Sequence, residues 1–128
     1  MAKKRSRKPT IRLTNRALRD IADIEAYSVE QFGNQAADRY LSTLEAGISR
    51  IAAQPDLLCT EESFHETLRF YRIEKHLLVC ETGVAGKVII LTVLHASMDI
   101  PSRLAELEPG LVLEAEILLK QLREDKRT

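Results

Sequence analysis

The chain has 128 residues, 45% hydrophobic and 30% charged, enough for one compact domain that buries roughly two-thirds of its unfolded surface, and too little for two. Its 19 basic and 19 acidic side chains give zero formal charge, which excludes a general nucleic-acid coat and a highly charged disordered chain. No apolar run approaches the ~18 residues a bilayer demands, the first residues lack a secretory signal, and Cys59 and Cys80 have neither zinc nor disulfide spacing, so a reducing, cytoplasmic setting is expected.

Every charge before Asp20 is positive, eight side chains in all, which leaves 11 basic against 19 acidic residues behind it. Residues 1–9 form a basic arm that ends at Pro9. Ile11-Arg12-Leu13-Thr14 alternates like a half-buried strand. Thr14 or Asn15 can cap a helix with apolar positions Leu18, Ile21, Ala22 and Ile24, then Tyr27 and Phe32, which Gly33 stops in a left-handed conformation. Asn34 can cap a second helix, whose stripe of Ala37, Tyr40, Leu41, Leu44, Ile48, Ile51 and Ala52 ends before Pro55. So short a junction predicts an antiparallel helical hairpin.

Gln54–Thr67 has no sustained period and is expected to be a connecting loop. Three strands follow: Leu68–Glu74, His76–Thr82 and Lys87–His95, the last two joined by a tight turn at Gly83-Val84-Ala85-Gly86. Because Val88–Leu94 is apolar on both faces, that strand belongs in the sheet interior. A short helix after Pro101 is expected to end at Pro109-Gly110. The segment 109–128 then forms an amphipathic helix with Leu111, Ala115, Leu118, Leu119 and Leu122 on one side, widened by Leu113 and Ile117. That stripe either docks on its own sheet or forms a dimer or partner interface. The order β-α-α-β-β-β plus C-terminal helices predicts an α+β fold, a helical hairpin on a small, mainly antiparallel sheet.

Ala17-Leu18-Arg19-Asp20-Ile21, Phe32-Gly33, Leu68-Arg69-Phe70-Tyr71-Arg72-Ile73-Glu74-Lys75-His76 and Val93-Leu94-His95-Ala96-Ser97-Met98-Asp99, followed by Arg103-Leu104, together resemble the ParE branch of the RelE/ParE toxins. The similarity covers about residues 10–108, which sets the domain apart from the arm and the last helix. It implies the toxin of a type II toxin-antitoxin pair that poisons DNA gyrase by binding and is neutralised by a cognate, ParD-like antitoxin, without cofactor or metal. Arg69, Arg72, His95, Met98 and Asp99 are the expected partner contacts.

The sister branch of that superfamily cleaves ribosome-bound mRNA, which needs a base, an acid and cations around the phosphate. Arg69, Arg72, Lys75, His76 and His95 supply the types, and Glu74 is a candidate base, but His95 is followed by Ala96-Ser97-Met98 with nothing titratable before Asp99. His95 is therefore expected to pack at the sheet end or bond locally, and His76 to lie on the surface. Arg69 and Arg72 fall on opposite faces of a regular strand, suited either to partner carboxylates or to keeping an edge soluble. Neither Ser97 nor Ser102 has a nucleophile elbow, and Cys80 belongs to the core. A protein-interaction module without toxicity is the remaining alternative.

Overall fold

A computed structural model describes residues 10–82 and 87–127, with side chains over 11–82 and 87–121. The expected basic arm, the turn 83–86 and the side chain of Leu122 lie outside the described residues. The elements run β1 (Thr10–Leu13), α1 (Asn15–Phe32), α2 (Asn34–Ala53), a 3-10 turn (Pro55–Leu57), β2 (Cys59–Glu61), β3 (His65–Ile73), β4 (His76–Glu81), β5 (Lys87–His95) and α3 (Ile100–Arg127). The sheet order is β1-β5-β4-β3-β2, antiparallel except for the parallel pair β1 and β5. The predicted α+β class and hairpin-on-sheet arrangement are present, with β5 interior to the sheet.

Thr14 caps α1 by accepting the Ala17 amide at 3.1 Å. Gly33 stops the helix with positive φ, 91°, but ψ of 169° places it in an extended region open to glycine and not in the left-handed helical one. It is also the N-cap of α2, with no side-chain cap bond, so the expected cap Asn34 is instead the first helical residue. Of the expected α1 stripe, Ile21 and Ile24 pack inward, whereas Leu18, Tyr27 and Phe32 face solvent.

The expected loop Gln54–Thr67 contains the 3-10 turn and the edge strand β2, and β3 begins at His65. Three-residue β2 is exposed throughout, so it shows no apolar alternation by which to read it. The largest correction concerns α3, which runs through Pro109 without interruption. Proline removes one helical donor and crowds the carbonyl four residues back, at about 3 kcal/mol. Burial on the same sheet face of Leu104 before it and Leu111 and Ala115 after it, at roughly 1.5–3 kcal/mol per large side chain, offsets that cost. Pro109→Ala is accordingly expected to raise the urea midpoint, and Gly110→Ala to add about 1 kcal/mol, because a Cβ there meets nothing within 4 Å. Unchanged midpoints in both variants would contradict a regular helix across this junction.

The sheet divides two cores. Ala17, Leu44, Ile51, Ile73, Leu78, Cys80, Val88, Ile90 and Val93 lie on the α1/α2 side. Phe70, Leu77, Val79, Ile89, Leu91, Leu94, Leu104, Leu111 and Ala115 lie on the α3 side. Leu111 and Ala115 are thus buried on the chain's own sheet, and Leu118 and Leu119 pack partly against them. Arg69 stands opposite Cys80 and Arg72 opposite Leu77, which places the two arginines on opposite faces as strand alternation requires.

One irregularity positions the functional end of the sheet. Val79 pairs with Thr92 but Cys80 with Ile90, so Leu91 is an extra residue, a β-bulge in β5. Before it, even-numbered Val88 and Ile90 face α1/α2; after it, odd-numbered Val93 does. The phase change turns His95 toward the helical hairpin.

Two side chains from the start of α1 hold the bulge. Buried Thr14 donates its hydroxyl to the Leu91 carbonyl at 2.8 Å. Asp20 Oδ2 accepts a short hydrogen bond from the Thr92 hydroxyl and a second from the Val93 amide at 3.0 Å. Backbone groups of β5 past Ile90, where the pairing with β1 ends, thereby gain partners.

Candidate functional site

The β3–β4 turn, the end of β5 and the start of α3 meet at one end of the sheet. The Ala96 amide donates to the Lys75 carbonyl at 2.8 Å, and the Met98 amide to the His95 carbonyl at 3.1 Å. Glu74 occupies the turn with φ of 55°, and Arg72 Nε donates to its carbonyl at 2.8 Å. Asp99 caps α3, accepting the Ser102 hydroxyl at 3.0 Å and, more weakly, its amide at 3.4 Å.

His76 and His95 are directly opposite on neighbouring strands, with ring centroids 5.2 Å apart and edge to face. Tyr40 of α2 completes the row, its ring centroid 5.4 Å from that of His76. The Lys75 amide donates to Tyr40 Oη at 3.2 Å, and Tyr40 Oη lies 2.6 Å from His76 Nδ1. The phenol accepts from the backbone, shares a hydrogen bond with the imidazole whose direction follows the His76 tautomer, and also reaches the Ile73 carbonyl at 3.5 Å. Ser97 fixes His95 in the same way, its amide donating to Nδ1 at 3.1 Å. Nδ1 of each imidazole thus has a local hydrogen-bond partner.

Burial is the main cause that lowers the His76 pKa from 6.5 to about 4; the facing His95 and adjacent Lys75 act in the same direction. His76 is uncharged at neutral pH. Burial also raises the Tyr40 phenol above its ordinary value, keeping it protonated. These rings wall a cleft of about 570 Å³ between the helical hairpin and the sheet end, also lined by Asp23, Tyr27 and Phe32.

Of the five residues expected to contact partners, the fold brings Arg72, His95, Met98 and Asp99 to this end. Arg69 lies farther along β3 and borders a separate groove of about 360 Å³ under α3. There His65 Nδ1 accepts the Thr67 amide at 3.1 Å, and Nε2 stands 3.3 Å from Glu108 Oε2. His76, expected on the surface, is half-buried because Tyr40 reaches it from α2. His95 bonds locally, as expected. Tyr40 is legible in the sequence only as an apolar position in a helical stripe, with no signal of its bond to a residue 36 positions away.

Among the described residues, no three His, Cys, Asp or Glu side chains form a metal-ligand group, and no helix is long and apolar enough to cross a membrane.

The fold is similar to that of two solved chains from toxin-antitoxin systems. One, from the chromosomal ParDE TA system of P. aeruginosa, has a TM-score of 0.63 at 14% identity, covering 72% of this chain and 100% of that one. The other, from the toxin-antitoxin complex RelBE2 of Mycobacterium tuberculosis, has a TM-score of 0.50 at 17% identity, covering 69% and 98%. At these identities the likeness establishes the fold.

Sequence similarity is more specific. The family model for the ParE toxin of type II toxin-antitoxin system, parDE, matches residues 11–100. Toxin ParE of Escherichia coli is 31% identical over 94 residues, spanning 73% of this chain and 91% of its own. Toxin ParE1 of Caulobacter vibrioides is 34% identical over 88 residues, spanning 69% and 90%. The chain belongs to the ParE toxin family of type II toxin-antitoxin systems. The family match ends where α3 begins, at Ile100.

Proposed function

We propose that the chain is a cytoplasmic toxin that inhibits DNA gyrase by binding, favouring a DNA-cleaved state of the enzyme, and that a cognate ParD-like antitoxin neutralises it by masking toxin surface. Membership of the ParE toxin family across residues 11–100 carries this reading. The sheet end, with Arg72, His95, Met98 and Asp99, supplies the preferred contact surface, while Arg69, farther along β3, serves a second contact. Arg72 contributes a charged planar fork and Met98, 38% exposed, an adaptable apolar contact.

The chemistry of the sheet end supports docking over bond cleavage. A phosphodiesterase requires a base with an available lone pair, whereas Nδ1 of His95 accepts the Ser97 amide. The clustering of two histidines, a tyrosine, Lys75 and Arg72 nevertheless makes ribosome-dependent mRNA cleavage the second reading to test.

Purified chain, gyrase and supercoiled plasmid are expected to give accumulated cleaved plasmid, reversed by the antitoxin, with ribosome-bound mRNA intact. Arg72→Ala and Met98→Ala should each lower potency about tenfold, corresponding to ~1.4 kcal/mol of binding. Messenger cleavage on isolated ribosomes, abolished by His95→Ala, would replace this reading with the nuclease one. Failure in both assays with antitoxin binding retained would leave an interaction module without toxicity.

A further inference from the structure

We propose that the cleft bounded by Tyr27, Phe32, Tyr40 and His76 receives an arginine side chain of a protein partner, with Asp23 and Glu74 as counter-charges. The inference rests on reading the sheet end as a docking surface, and is independent of which partner docks there.

The cavity, about 570 Å³, is wide enough for a long side chain and the segment that carries it. Tyr27 and Phe32, both at its wall, are 60% and 64% exposed, an unusual state for two large rings at the mouth of one cavity. Opposite them, Tyr40, His76 and His95 form a continuous edge-to-face row at centroid spacings of 5.4 and 5.2 Å. Hydrogen bonds to the Lys75 amide and to Ser97 hold that row in place before any ligand arrives, so little rotamer freedom is lost on binding.

Aromatic faces attract cations through the ring quadrupole, and a planar guanidinium stacks on them better than a compact ammonium does. The charges agree. Asp23 and Glu74 are exposed, line the cleft and make no ion pair among the described residues. Lys75 is the one lysine or arginine lining it among the described residues, so the carboxylates outnumber it. The histidine wall adds no opposing charge at His76, which burial keeps neutral. An anionic ligand would meet both carboxylates; a neutral one would leave them without a partner.

The test is an NMR titration of the full chain with N-acetyl-arginine amide, against N-acetyl-citrulline amide, which has the same shape without the charge. The arginine probe is expected to move the Tyr27, Phe32 and His76 ring signals saturably, with citrulline at least about fivefold weaker. Asp23→Asn and Tyr27→Leu, both at exposed positions and checked for a native amide spectrum, should each weaken it about threefold or more. Equal binding of citrulline, shifts confined to other surfaces, or no shift up to about 50 mM probe would each overturn the proposal. Arginine binding without gyrase poisoning would sink the toxin reading alone. Poisoning that persists without arginine binding would sink this one alone.

Discussion

Asp20→Ala is expected to destabilise the domain by about 3 kcal/mol, well beyond the usual cost of a single substitution. The Asp20 carboxylate accepts from the Thr92 hydroxyl and the Val93 amide, and Thr92 is fully buried. Alanine leaves both donors without a partner, each at roughly 1–3 kcal/mol, and admits water poorly beneath α1. With about 4 °C of midpoint per kcal/mol for a domain of this size, a thermal shift of about 12 °C follows. Asp20→Asn retains an acceptor oxygen and should lose about 1 kcal/mol. Thr14→Val removes the cap on Ala17 and the bond to the Leu91 carbonyl, at about 2 kcal/mol. The double variant should lose less than the sum, because both side chains secure one bulge.

The effect should reach the functional end. The bulge at Leu91 is what faces His95 toward the hairpin, so loosening it must alter the His76–His95 contact. The ring signals of both histidines are expected to shift in Asp20→Ala and not in an equally destabilising substitution of the α3 side, such as Leu104→Ala. A loss under about 0.5 kcal/mol, or unchanged histidine signals, would separate the bulge from the site.

How much of the molecule is legible in its sequence depends on which physical signal each element leaves. Helical periodicity locates α1 and α2, and the Thr14 cap is visible because the residue type and its position before the apolar stripe coincide. The antiparallel strands from Leu68 onward are visible because their termini carry turn residues. The bulge is not. Val88 to Leu94 is buried on both faces and Thr92 is its one polar residue, so there is no polar–apolar alternation in which a change of phase at Leu91 could show. Proline in a helix is legible as a break only where nothing compensates it, and the leucines of α3 supply compensation that is visible only in three dimensions. At the site, the type and order of Arg72, His95, Met98 and Asp99 are readable. The Tyr40–His76 bond is not, because it joins a helix to a strand start through a side chain whose position in the stripe suggests only packing.

Burial of His76 gives the fold a pH dependence with a definite sign. Folded His76 has its pKa lowered to about 4, while in the unfolded chain it returns to about 6.5. As pH falls below 6.5 the unfolded chain takes up a proton that the folded chain refuses, so stability present above 6.5 is lost progressively toward 4. Because the ring is half-exposed, solvent screening limits the effect, and a loss of about 1 kcal/mol between about pH 7 and 5 is expected. His76→Gln should flatten that slope in urea midpoints measured across the same interval, which lies largely above carboxylate titration. Tyr40→Phe should act differently. It removes the hydroxyl that covers Nδ1 and strands the Lys75 amide, so the burial that lowers the His76 pKa is relieved, the pKa should rise toward its ordinary value, and stability at neutral pH fall by about 1 kcal/mol. A wild-type slope that survives in His76→Gln would assign the pH dependence to other groups. A His76 ring that titrates at its ordinary value of 6.5 in the intact protein would remove its cause.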